Sequence, residues 1–433
     1  MRVALLNRAL VGTGAFTVLT VAPAMAQTAT KIDPADTAWM IAATALVLMM
    51  SIPGLALFYA GMVRKKNVLA TMAQTFAVTA LCSILWAAVG YTLAFTGDGP
   101  VIGTLQSPFL RGITMTAISP FAKTIPEALF MIYQMTFAVI TVALVAGSVA
   151  DRMRFSAFMW FAALWLIIVY VPIAHWVWGG GFLGTAGLLD FAGGTVVHLN
   201  AGVAGLVAAF MIGARRGYGS DNFAPYDLSL AVIGTGMLWV GWFGFNGGSA
   251  LAADSRAVFA IVATHLAAST GALTWMALEW WTRGKPSVLG MISGAIAGLG
   301  TITPASGFVL PWHGIVIGLI AGLVCFWSCT WLKHACGYDD SLDVFGVHGI
   351  GGATGTFLVG VFAARAIGGT AGLLEGNGKQ VLIQLYGIAA TTVWSGTATF
   401  VLLKAISAFV PLRVDKQSEI EGLDVTQHGE ALQ

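Results

Sequence analysis

Apolar runs of about twenty residues or more, broken by short polar segments, follow one another from residue 37 to residue 410. A helix crossing a bilayer needs about 20 mainly apolar residues. That rule predicts eleven spans, at 37–62, 67–95, 126–150, 155–178, 193–213, 227–247, 256–280, 287–303, 311–333, 342–364 and 380–410. The basic residues are distributed unevenly around them. Thirteen (Arg64, Lys65, Lys66, Arg152, Arg154, Arg215, Arg216, Arg283, Lys285, Lys333, Lys404, Arg413, Lys416) flank one set of ends, and six (Lys31, Arg111, Lys123, Arg256, Arg365, Lys379) flank the other. Lys and Arg are retained on the cytoplasmic side, so the N-terminus is expected outside and the C-terminus inside. The fold class expected is an all-α polytopic membrane protein.

Eleven spans divide as five, five and one. An odd number per half inserts the second half upside down relative to the first, the inverted-repeat plan of many transporters. The expected organisation is a first half at 27–213, an inverted second half at 214–364, a last span within 365–411 and a cytoplasmic tail at 412–433. Residues 1–26 read differently. Arg2 and Arg8 precede a charge-free run from Ala9 to Ala22, and Ala24-Met25-Ala26 follows. This is the pattern of a cleaved secretory signal peptide, which also places the mature N-terminus outside.

Composition narrows the class. Hydrophobic residues make up 58% and charged residues only 9%, against about 25% charged in soluble domains. A net charge of +2 gives no basis for nucleic-acid binding. Cys82, Cys325, Cys329 and Cys336 lie in or beside apolar runs without a C-x-x-C pair, so neither a metal site nor a cofactor is expected. No Walker or catalytic-triad motif points to an enzyme.

Against this background two histidines stand out. Asp190 to Gly205 carries His198, and Asp340 to Gly355 carries His348, 150 residues later. Each has Asp eight residues before, Val just before, and Gly four and seven after. Ionisable side chains inside a span are costly and mark function by default. A matched pair in two half-chains points to one site at the repeat interface. Straight helices, however, put His198 near the outer end of span five and His348 near the inner end of span ten, about 10–15 Å apart. They meet only if those spans start recessed, and the glycines around His348 (Gly346, Gly349, Gly351, Gly352, Gly355) mark a locally pinched or broken backbone.

Three stretches belong to the outer half: Tyr133–Phe137 at the start of span three, Pro172–Phe182 at the end of span four and Gly241–Ser249 at the end of span six. They bring Phe137, Trp178, Phe245 and Ser249 to one depth, where aromatic faces and a hydroxyl can cup a cation. His175 and His313 are expected at the outer interface, His334 at a cytoplasmic helix end and His428 in the tail. His265, inside span seven, has no twin.

The runs YQMTFA (133–138), IAHWVWGGG (173–181), LDFAGGTVVHLN (189–200), GWFGFNGGSA (241–250), VFGVHGIGG (344–352) and EGLDVTQHGE (421–430) resemble the ammonium transporter family, in its bacterial Amt form related to Mep and Rh proteins. The resemblance runs from about residue 37 to 430. It implies an eleven-span inverted repeat assembled as a homotrimer in a bacterial inner membrane, with ammonium or ammonia as substrate. Trp178, Phe137 and Ser249 then form the ammonium recruitment site, and Phe137 and Phe245 form a gate beneath it. His198, His348 and Trp242 line the pore. Asp190 is the buried acid that orients the glycine-rich loop or assists deprotonation. Tyr133 stands where many members have Phe and is expected to add a polar contact at the vestibule. The tail resembles a regulatory segment on the face where PII-type proteins dock. Two other readings use the same fold: an ammonium sensor signalling through a partner, and an Rh-like neutral gas channel.

The physical logic is separate from the resemblance. Ammonium is close to potassium in size, but only ammonium donates hydrogen bonds. Taking either bare cation through an apolar gate is prohibitive. Loss of a proton removes that barrier for ammonium alone. Two touching imidazoles share one proton, each fixing the other's tautomer.

Overall fold

The computed structural model describes residues 31–432, which form one compact unit. The signal peptide expected at 1–26 lies outside the described residues. Among the described residues ten helices are long and apolar enough to cross a membrane: α1 (Pro34–Met62), α2 (Lys65–Phe95), α3 (Glu127–Val149), α4 (Phe155–Thr185), α5 (Gly194–Ile212), α6 (Leu228–Gly247), α7 (Ser255–Arg283), α9 (His313–Cys336), α10 (Phe345–Phe362) and α11 (Lys379–Ser407). Between α7 and α9 lies α8 (Val288–Ile302), apolar but only 15 residues long. At 1.5 Å per residue it measures about 22 Å, short of the roughly 30 Å hydrocarbon layer, and it occupies the place of the eighth expected span. The protein is an all-α polytopic membrane protein. The exception among the described residues is a small antiparallel hairpin, β1 (Ile118–Ser119) with β2 (Ala122–Pro126), in the loop after α2.

Helix starts are written in the polar residues between apolar runs. Asp33 accepts from the amides of Ala35 and Asp36, with Pro34 beginning α1. Asp227, Asp254 and Ser287 cap α6, α7 and α8 in the same way. Each satisfies amides that the first turn leaves free. The glycine rows of α8 and α9 serve packing: Gly294 and Gly298 meet Gly271 and Ala267 of α7, and Gly318 meets Ala267 from the other side. Small residues let three backbones approach closely there.

The recess that the two histidines require is present. Helix α5 starts at Gly194 and α10 at Phe345, and the segments from Asp190 and from Asp340 enter them without helical structure. Both helices open with a π-helical turn, Gly194–Leu199 and Phe345–Gly349. The pinched or broken backbone expected near His348 is therefore a widened turn that stays continuous with α10. The helices cross where a Cβ on Gly202 would overlap the backbone of Gly349, and one on Gly352 would press on the Gly194 carbonyl and the His198 Cβ. Only glycine permits that approach. The tail folds back as α12 (Lys416–Glu421) and α13 (Leu423–His428).

Candidate functional site

Asp190 builds one side of the site. Its carboxylate accepts from the amides of Gly193 (2.7 Å), Gly194 (2.6 Å), Thr195 (2.8 Å) and Val196 (3.3 Å) and from the Thr195 hydroxyl. A carboxylate at a helix N-terminus so fully bonded is a cap. Its backbone carbonyl also accepts from Trp178 Nε1 at 2.9 Å. One residue thus fixes both the start of the histidine helix and the edge of the tryptophan. Asp340 repeats the device on α10, accepting from the Phe345 amide at 2.7 Å.

Outer and inner are used below as the Lys/Arg bias assigns them. A cavity of about 270 Å³ opens on the outer side, and Phe137, Trp178, Ser249, Gln134 and Phe191 are among its walls. Trp178 stands edge-on to Phe137, with centroids 5.7 Å apart at 87°. At its floor Phe137 stacks on Phe245 at 4.2 Å and 24°, both rings buried. Beneath them His198 lies 6.1 Å from Phe245 and parallel to Trp242, at 5.5 Å and 15°. The Nδ1 atoms of His198 and His348 are 3.1 Å apart, and their rings are nearly coplanar in orientation, 13° apart. Trp242 is held by its Nε1 on the Thr303 hydroxyl at 2.9 Å.

The imidazoles line a narrow chamber with Phe245, Trp242, Ile140, Leu144, Leu238 and Ile296. Its free volume is about 10 Å³, near the least that holds one water. Apart from the two imidazoles and the tryptophan ring its walls are aliphatic or phenyl, so an ion inside loses its hydration without replacement. His348 also borders an inner cavity of about 130 Å³ with Tyr59, Trp275, Ser341 and Asp343. In sequence from the outside come a wet aromatic cup, two stacked phenyl rings, a dry chamber with paired imidazoles, and a second polar cavity.

With one proton shared between the Nδ1 atoms, the donor ring has a bare Nε2 and the acceptor ring keeps an Nε2–H. The pair therefore offers the chamber one acceptor and one donor.

The comparisons with known proteins fall on this geometry. Residues 38–432 match the model of the Ammonium Transporter Family. This chain belongs to the ammonium transporter family. It is 48% identical to an ammonium transporter of Bacillus subtilis over 397 residues, 91% of this chain and 97% of that one. An ammonium transporter of Aquifex aeolicus is also 48% identical, over 92% of this chain and 93% of its own. Among solved structures, Saccharomyces cerevisiae Mep2 matches with a TM-score of 0.83 at 39% identity, over 89% of this chain and 88% of Mep2. A sensor Amt protein matches with a TM-score of 0.84 at 28% identity, over 91% and 98%.

The structure places Trp178, Phe137 and Ser249 at the cup, Phe245 beneath it, Trp242, His198 and His348 around the chamber, and Asp190 behind them. Other expectations are corrected. His175 is fully buried, away from the outer interface, with Nδ1 2.9 Å from the Ala94 carbonyl and Nε2 2.6 Å from that of Gly99. Its neighbour Trp176 donates to the Val101 carbonyl at 2.7 Å, so this dipeptide anchors the loop after α2. Tyr133 is buried behind the cup wall and its hydroxyl bonds to backbone. His265 is exposed on the outside of the bundle, accepting from Trp239 at 3.2 Å. Gln134 and Tyr59, lone polar residues on apolar helices, and Thr303, just past the end of α8, carry no spacing signal of their own in the sequence.

Proposed function

We propose that this chain transports ammonium by recruiting the cation at the outer cup, removing one proton, and passing ammonia through the imidazole-lined chamber to the inner cavity. The observation that carries this reading is the file of three cavities, the first two parted by the stacked Phe137 and Phe245 rings, in which the polar ring atoms along the dry middle are, among the described residues, those of His198, His348 and Trp242. Trp178 and Phe137 offer ring faces to the cation, and Ser249 an oxygen. The stacked Phe137 and Phe245 rings bar hydrated ions. The N–H bond breaks at the cup floor, and ammonia continues while the proton goes to the water of the cup or along the imidazoles. In the first case transport is neutral; in the second each ammonia carries one charge. Asp190, committed to five bonds, acts as a cap and as a clamp for Trp178. Growth on low ammonium of a bacterial host stripped of its own ammonium transporters tests the reading, and rescue is the expected result.

The likeness to a sensor Amt protein supports a second reading, in which occupancy is signalled through the tail. A chain that reaches the membrane without restoring growth would favour it. The wider assignment follows the charge bias and the family: two inverted halves at 27–213 and 214–364, a last span within 365–411, N-terminus outside, homotrimer, bacterial inner membrane. The tail proposed at 412–433 packs through its described residues against the start of α2: Lys66 donates to the carbonyls of Glu419 (3.0 Å) and Ile420 (2.5 Å), and Asp424 accepts from the Ala70 amide at 2.7 Å. A PII-type protein is the partner proposed for that face, and a pull-down with and without ADP tests it.

A further inference from the structure

The wall behind the cup contains a proton arrangement that the recruitment reading does not use. Tyr133, fully buried on α3, reaches across to the end of α6. Its hydroxyl lies 3.0 Å from the Gly244 carbonyl and 2.9 Å from that of Phe245. These carbonyls sit in the π-helical turn Phe243–Gly247 that closes α6, at a helix end whose last oxygens need outside donors. Ser249, just beyond, donates its own proton to the Phe245 carbonyl at 2.9 Å. The Phe245 oxygen therefore receives two donors, one for each lone pair. The Tyr133 and Ser249 oxygens face each other at 3.4 Å, long for a hydroxyl pair and consistent with both protons pointing to carbonyls.

A hydroxyl has one proton and two acceptor sites. With its proton held inside the wall, Ser249 can only accept from whatever enters the cup. The same turn carries Phe245, the lower ring of the stacked pair. We infer that Tyr133 is a positioning residue for cation recognition: its hydroxyl closes the end of α6 so that Ser249 presents lone pairs alone to the cup. This rests on the reading of the cup as the recruitment site. Without that hydroxyl the Gly244 and Phe245 carbonyls lose their tie to α3, with the Gly248 amide alone still reaching Gly244, and the loosened turn leaves the Ser249 proton free to stay on the Phe245 carbonyl or to turn toward the cup. In the second orientation the serine meets an ammonium N–H with its own O–H and repels it.

Tyr133→Phe removes the oxygen and keeps the ring, which packs edge-on to Phe137 at 5.0 Å and 66°. Uptake by membrane vesicles, normalised to the amount of transporter present, separates the outcomes. The half-saturating ammonium concentration should rise about three- to tenfold, the size of one hydrogen bond, with maximal rate within about twofold. Ser249→Ala should raise it comparably, and the double variant should be no worse than Ser249→Ala alone. An unchanged half-saturation in Tyr133→Phe, a fall in maximal rate alone, or independent effects that multiply in the double variant would overturn the inference. The two readings fail differently. If Ser249→Ala raises half-saturation and Tyr133→Phe does not, only the positioning role falls; if Ser249→Ala itself changes nothing, the recruiting cup falls first.

Discussion

A cation held against aromatic faces gains about 0.5–2 kcal/mol from each good contact. Trp178 supplies the largest such ring at the cup, and its orientation is fixed by the Asp190 carbonyl. Trp178→Leu should therefore raise the half-saturating concentration about tenfold, read as the concentration dependence of methylammonium uptake. An unchanged curve would count against the ring's role. In the proposed path the imidazoles act one step later, in the apolar chamber. His198→Ala leaves His348 without its partner in a chamber that offers no other hydrogen bond, a loss of about 1–3 kcal/mol. Transport at saturating ammonium should drop about tenfold or more in His198→Ala and in His348→Ala, measured in vesicles at matched expression. Wild-type rates and wild-type preference over potassium in both variants would show that the pair is not on the path.

At the scale of the element, the histidine helices explain what the sequence reveals and what it hides. The matched Asp–Val–His–Gly spacings name both helices and their pairing, since the same four residue types at the same offsets serve the same ends: a cap, a ring and a crossing. The depth of the rings was not legible, because a π-helical turn shifts a side chain without leaving a mark in hydropathy. The cup was legible in Phe137, Trp178 and Ser249, whereas Phe245, expected at the same depth, lies beneath it. Its buried backing was not, because Tyr133 bonds to carbonyls and a carbonyl has no sequence. His175 misled for a related reason, as a histidine near a helix end looks interfacial until the loop that covers it is seen. Two substitutions test the element. Gly202→Leu forces a side chain into the Gly349 backbone, so unfolding in detergent should come earlier by about 1–3 kcal/mol or more and transport should be lost. Gly236→Ala, on an open face of α6 with nothing within 4 Å, should leave both unchanged or slightly raise stability. Equal behaviour of the two variants would mean that the crossing is not tight.

For the whole molecule, the inner ends of the helices are tied by a buried charge network. Arg215 donates to both oxygens of Asp339 with Nη2 (2.8 Å) and Nε (3.0 Å), and its amide adds a third bond at 2.7 Å. Asp151 binds Arg64 at 3.1 Å and lies 3.7 Å from Arg215. The loops after α3, α5 and α9 are thereby joined. Burial works against the Asp339 carboxylate, but the bonds and charge of Arg215 outweigh it and hold the group below its ordinary value. A carboxyl depressed in the folded state stabilises fully above the ordinary range, near pH 4, and loses that contribution as pH falls through its folded value. Stability against thermal unfolding in detergent should therefore weaken as pH falls below about 4. Asp339→Asn, which leaves Arg215 without its nearest partner, should cost about 3 kcal/mol at neutral pH and flatten that acid dependence. A variant that unfolds like the parent at both pH values would remove the network from the account.

The account turns on a cation being recognised and its proton removed before the dry chamber, a step open to ammonium and closed to potassium. Ammonium and potassium fluxes through purified protein in liposomes, recorded side by side at equal gradients, measure that most directly. Ammonium should cross and potassium should not, whether or not current accompanies the ammonium. Potassium crossing at a comparable rate in the unaltered protein would mean that intact cations pass the stacked rings, and the proposed mechanism would be contradicted.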